Sequence, residues 1–122
     1  MGKYVLVAED DADIAFVVSD VLESEGYEVQ MSAGEATLDL MRLRVPDVVL
    51  LDYQMPGMDG ATIAAHMREE PTLRHVPIIA MTAATRAPDV CARMGAHGCI
   101  GKPFDVDELL TVVAELRHTT HD

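Results

Sequence analysis

Val48-Val49-Leu50-Leu51-Asp52 is an unbroken apolar run that stops at a carboxylate. A run of this length, rich in β-branched residues and bounded by turn residues, reads as a strand buried on both faces of a parallel sheet. The same grammar recurs three times. Tyr4-Val5-Leu6-Val7-Ala8 runs into Glu9 and Asp10, Ile78-Ile79-Ala80-Met81 into Thr82, and Cys99-Ile100-Gly101 into Lys102. In an open α/β sheet, sites form in the crevice beyond the carboxyl ends of the strands. The pattern therefore gathers three carboxylates, a hydroxyl and an ammonium in one pocket.

Helical patterns alternate with these strands. Ile14, Val17, Val18, Val21 and Leu22 form a stripe that ends at Gly26. Tyr27 to Met31 alternates enough to be an edge strand. Glu35 to about Arg44 is a second helix, stopped by Pro46, and a third passes through Ile63, Ala64 and Met67. Pro77 opens the fourth strand, and a short helix covers Pro88 to Met94. Asp105 and Glu108 make a capping-box pattern for the last helix, whose core stripe is Val106, Leu109, Leu110, Val113 and Leu116. Five βα units with right-handed crossovers predict one α/β domain over residues 1–122: a doubly wound, five-stranded parallel sheet with helices on both faces. Residues 118–122 carry no apolar anchor and are expected to fray.

A chain of 122 residues forms one domain with an ordinary core. Its formal charge of −12 disfavours direct binding to nucleic acid or anionic membrane and suits cationic partners. No stretch is long enough for membrane insertion, and the first apolar run ends in acids, unlike a signal peptide. Leu6 breaks the myristoylation pattern that Met1-Gly2 begins. Cys91 and Cys99 have no metal-ligand spacing and read as reduced thiols of a cytoplasmic protein.

Glu9, Asp10 and Asp52 come close together if the strands pair in this way. Two carboxylates ~5 Å apart repel by roughly 3 kcal/mol at an effective dielectric near 20. Three of them need raised pKa values or a cation. Hard oxygen ligands in small number suit Mg²⁺, which also binds phosphoryl groups. An aspartate beside such a metal can form an acyl phosphate. Thr82 and Lys102 then offer a hydroxyl and a charged donor to the phosphoryl oxygens. Polar strand ends in ordinary loops are the bland alternative. Four strands ending this way, with both charge signs and a hydroxyl, favour the chemical reading.

Val5-Leu6-Val7-Ala8-Glu9-Asp10-Asp11, Leu51-Asp52-Tyr53-Gln54-Met55-Pro56-Gly57-Met58-Asp59-Gly60, Met81-Thr82-Ala83 and Lys102-Pro103-Phe104 together resemble the receiver domain of two-component response regulators, in its single-domain form. The resemblance spans essentially the whole chain, in order and with the family's spacing. It implies a flavodoxin-like sheet of strand order 2-1-3-4-5, with Asp52 as phosphoacceptor. It also implies that Asp10, Asp52 and the Gln54 backbone carbonyl bind Mg²⁺ directly, and Glu9 through water. Thr82 and Lys102 would contact the phosphoryl group, with a cis Lys102-Pro103 bond. The family register makes Glu9-Asp10 the acidic pair; Asp10-Asp11 is the alternative.

By the same resemblance, Gln54 and Ala84 border the phosphoryl group and set how water reaches it, and so its lifetime. Cys99 stands where most receivers carry a switching Tyr or Phe. It reads as a small buried thiol before a redox sensor, and no ring can turn there. The switch region is then Cys99 with Ala83 and Ala84, and the signal must pass through the Thr82 loop and residues 83–88. Phe16, off the core stripe, is either a partly covered aromatic or a docking contact for the helices of a histidine kinase or histidine phosphotransfer protein. Val112, also off-stripe, is consistent with an output or homodimer face. His66, His75, His97, His118 and His121 read as surface groups, and the methionines as core fillers.

The expected function is a stand-alone phosphoacceptor switch that changes its affinity for an output protein, not a turnover enzyme beyond slow self-dephosphorylation. A metal-dependent phosphatase of the haloacid dehalogenase type is the second reading, although Gln54 stands where that chemistry wants an acid. A phosphorylation-independent adaptor is the third, although such domains commonly lose the acids or the lysine kept here.

Overall fold

The structure, a computed structural model, describes residues 3–116 apart from the side chain of Ala84; the tail expected to fray lies outside the described residues. Five strands, β1 (Tyr4–Ala8), β2 (Glu28–Ser32), β3 (Val48–Asp52), β4 (Ile78–Ala83) and β5 (Gly98–Lys102), form one parallel sheet in the order β2-β1-β3-β4-β5. Helices α1 (Ala12–Ser24), α2 (Ala36–Leu43), α3 (Gly60–Glu69), α4 (Ala87–Met94) and α5 (Val106–Leu116) connect or follow them. This is the doubly wound, flavodoxin-like fold expected, with β2 at an edge.

Successive side chains of a strand point to opposite faces, and this sorts the core into two layers. Val5, Val7, Val48 and Leu50 pack with Val18 and Leu22 of α1 and with Leu109 and Val113 of α5. Leu6, Ala8, Val49 and Leu51 pack with helices α2, α3 and α4 through Met41, Ile63, Met67 and Met94. Every residue of β1 and β3 is buried, which is why these strands read as continuous apolar runs. At the end of the sheet away from the strands' carboxyl ends, Asp47 accepts the Tyr4 N–H at 2.7 Å. There Arg44 also pairs with Glu28 and lies 4.0 Å from the centroid of the Tyr4 ring.

Three helix readings are corrected. Val17 is 51% exposed, and Ala15 replaces it on the buried face of α1. Val106 is 47% exposed, because α5 begins there, before the helix reaches the sheet. Val112, read as off-stripe, is partly buried against the core. It and Leu116 sit over Gly98, where an added Cβ would come within 2.9 Å of either side chain. The small residue in β5 is thus what admits α5. The capping box is not closed among the described residues; the Asp105 carbonyl accepts the Leu109 N–H at 3.1 Å. His97 is exposed, yet its Nδ1 accepts the Ile78 N–H at 3.0 Å, so it is more than a surface group.

Candidate functional site

Sheet register assembles the chemistry. Ala8 of β1 lies opposite Leu51 of β3, so Glu9 continues beside Asp52. Across the sheet Asp52 pairs with Met81, Thr82 with Gly101, and Ala83 with Lys102. The strand ends finish at one level, and the crevice above them is a cavity of about 390 Å³. Glu9, Asp10, Asp11, Asp52, Gln54, Thr82, Ala83 and Lys102 line it. Glu9, Asp52 and Thr82 are buried and Asp10 is exposed at the mouth.

Asp11 has a structural task of its own. Its carboxylate caps α1, accepting the N–H groups of Asp13 at 3.0 Å and Ile14 at 3.2 Å. These are backbone donors that a helix cannot satisfy internally. The carboxylates that share a coordination-sized space are instead Glu9, Asp10 and Asp52, each with an oxygen within 4.8 Å of the others. Their separation favours the register in which Glu9 and Asp10 are the pair.

Lys102 is the cation of this pocket. Its Nζ donates to Glu9 Oε1 at 2.5 Å and stands 3.2 Å from Asp52 Oδ1. The other oxygen of Glu9 accepts the Asp11 N–H at 3.1 Å. Burial pushes the Glu9 carboxyl up to about 7; the Lys102 bond opposes this and the adjoining Asp52 adds to it. Burial also works against charge on Lys102, but the Glu9 and Asp52 carboxylates outweigh it and raise the ammonium's value. One ammonium serves two buried carboxylates, so it stays charged while Glu9 holds its proton readily.

Three carboxylate oxygens in a cavity open to solvent at Asp10 fit a hard divalent cation that keeps part of its water shell, as Mg²⁺ does. No hydrogen bond described ends on the Gln54 carbonyl, which leaves it available as a further oxygen. The Lys102-Pro103 bond is cis, as expected.

Cys99 and Phe16 lie outside the cavity. Cys99 sits within β5 opposite Ala80, and its thiol donates to the Ala87 carbonyl at 3.2 Å. Burial pushes that thiol up to about 12, with the Cys91 side chain adding to the shift. Cys91 in turn donates to the Gly98 carbonyl at 3.4 Å, so the two thiols tie α4 to β5. Phe16 is 65% exposed and lines a neighbouring groove with Met31 that reaches Glu9 and Asp10. Thr82, expected in a loop, lies within β4, and the segment expected to carry the signal continues from it as a 3-10 turn (Ala84–Arg86) running straight into α4.

Two features escaped the sequence. Gly60 opens α3 directly against β3: an added Cβ would lie 2.5 Å from the Asp52 carbonyl oxygen. Arg86 stands over the ring of Tyr53, its guanidinium carbon 5.6 Å from the centroid. A glycine after Asp59 was visible, but the strand it must clear lies eight positions back.

The family model for the response regulator receiver domain matches residues 5–114. Among curated relatives, the polar-differentiation response regulator DivK of Brucella ovis is 33% identical over 117 residues, covering 93% of this chain and 94% of its own. The receiver domain of a sensor histidine kinase from Pseudomonas aeruginosa, solved with magnesium coordinated in its active-site cleft, superposes with a TM-score of 0.88 at 28% identity, covering 96% of this chain and 98% of that one. A chemotaxis response regulator of Vibrio cholerae gives 0.87 at 28% identity, over 95% and 99% of the two chains. On its fold, its strand-end cluster and a match over nearly its whole length, the chain belongs to the response regulator receiver domains, the phosphoacceptor signalling domains of two-component systems.

Proposed function

We propose that Asp52 accepts a phosphoryl group from a phosphohistidine of a histidine kinase or histidine phosphotransfer protein, and that the modified domain changes its affinity for an output protein. The observation that carries this is the cluster of Glu9, Asp10 and Asp52 around one cavity, with the Lys102 ammonium inside it. An Asp52 carboxylate oxygen forms the new O–P bond, while the P–N bond of the donor breaks and its electron pair returns to the imidazole. Asp10, Asp52 and the Gln54 carbonyl would hold Mg²⁺ directly and Glu9 through water. When bound, the metal offsets the carboxylate repulsion and charge developing on the phosphoryl oxygens.

Lys102 gives the phosphoryl group a charged donor, and Thr82, at the end of the neighbouring strand, gives it a hydroxyl. Gln54 at the cavity wall borders the path of the hydrolytic water, which it can orient or block. Phe16, exposed beside the acids, belongs to the surface that meets the donor's helices. Among the described residues no helix is long and apolar enough to cross a membrane, which is consistent with a cytoplasmic donor.

Incubation with a small phosphodonor and Mg²⁺, followed by intact-mass measurement, tests the assignment. Wild type gains one phosphoryl adduct, and Asp52→Asn gains none. An adduct that persists on Asp52→Asn would reject it.

A further inference from the structure

Beside the acid pocket lies a second polar chamber of about 640 Å³ that shares Asp10 and Gln54 with it and is walled by Tyr53, Asp59 and Arg86. Arg86 is the chamber's cation. Arg42 and Arg44 each hold a carboxylate, as Lys102 does. Arg86 has no such partner among the described residues, although the Asp10 and Asp59 carboxylates line the same chamber. Its contact is the face of Tyr53, the residue after Asp52. Tyr53 is partly buried against the core, with its ring at the chamber wall, and a guanidinium held there by the ring alone gives way to a partner carrying charge.

The position of Arg86 in the chain gives that movement a consequence. It stands four residues beyond Thr82, closes the 3-10 turn, and directly precedes α4, whose N-terminus it does not cap with its side chain. Phosphorylation replaces the single charge of Asp52 with roughly two and adds phosphoryl acceptor oxygens. Lys102 is already divided between Glu9 and Asp52, and Thr82 supplies one hydroxyl. A metal on Asp10 and the Gln54 carbonyl would take part of the added charge, and a phosphoryl oxygen turned toward the chamber can still accept a further donor from there.

We propose that Arg86 is a positioning residue that senses phosphorylation: its guanidinium leaves the Tyr53 ring for the phosphoryl group on Asp52 and draws the first turn of α4 with it. This rests on Asp52 being the acceptor. It supplies a route to α4 that needs no aromatic side chain at Cys99, since turn and helix are continuous from Ala84 to Met94.

The test is NMR of the full chain with Mg²⁺, before and after beryllofluoride, a phosphoryl mimic. The Arg86 Nε–H signal is assigned by its loss in Arg86→Ala. Shifts of that signal, of the Tyr53 ring and of the α4 amides are expected to appear together on adding the mimic. In Arg86→Ala the α4 shifts shrink relative to those next to Asp52, and Arg86→Lys restores part of them. If amides around Asp52 move while the Arg86 Nε–H and the Tyr53 ring do not, the inference is overturned and the acceptor assignment stands. If no amide near Asp52 moves, both fall.

Discussion

Cys99 and Cys91 show how a single side chain changes meaning once its neighbours are known. Each thiol is hydrogen-bonded to a carbonyl across the α4–β5 junction, and burial with an adjoining thiol raises Cys99 to about 12. The thiolate is the reactive form of cysteine, and a thiol raised this far carries little of it at neutral pH. Cys99 should therefore resist iodoacetamide at pH 7.5 at least 100-fold more than an unfolded-state thiol and label readily in denaturant. Quantitative mass spectrometry of labelled peptides reads the ratio; equal rates in the native and unfolded chain would show that the thiol is not held in this way. The acidic pair illustrates the same lesson. Three acids in a row were legible and the family register took Glu9-Asp10 as the pair, but that Asp11 caps α1 was not.

At the scale of elements, the site depends on how closely helices approach the strand ends. Asp11→Ala should cost about 1 kcal/mol through loss of the α1 cap and leave Mg²⁺ affinity nearly unchanged. Asp10→Ala should do the reverse, with little loss of stability and a large loss of Mg²⁺ binding. Urea unfolding and metal titration of both variants separate the two roles, and a matched pair of effects would contradict the division. Gly60→Ala places a methyl 2.5 Å from the Asp52 carbonyl, which backbone cannot yield without shifting α3 or β3. A cost of roughly 2 kcal/mol or more is expected, along with weaker phosphorylation. Gly57→Ala meets no atom within 4 Å but has a φ of 85°, so its cost is backbone strain alone. Calorimetry should find both variants destabilised, and hydrogen exchange should find amide protection across α3 reduced only in the Gly60 variant.

For the whole molecule, the buried acids couple folding to pH and metal. Glu9 rises from an ordinary 4.5 to about 7, so the folded state keeps a proton that the unfolded chain has already released between those values. Its contribution to stability is present below about 4.5 and is lost as pH rises through 7. The metal-free protein should lose thermal stability from pH 5 to 8 and regain it at pH 8 on adding Mg²⁺, which binds the folded state. Glu9→Gln should flatten the part of the profile due to this residue; an identical slope in wild type and variant would assign it to the general repulsion of a chain of charge −12.

By itself the sequence determined the sheet, because doubly buried strands leave continuous apolar runs. It also determined the strand-end chemistry, because Glu9, Asp10, Asp52, Thr82 and Lys102 each follow or close such a run. Only the tertiary structure decided how closely the carboxylates share space, that Val112 covers Gly98, and that Arg86 stands over the Tyr53 ring. The reason is physical: alternation and run length are properties of the local chain, whereas clearance, charge sharing and side-chain reach are set between residues far apart along it.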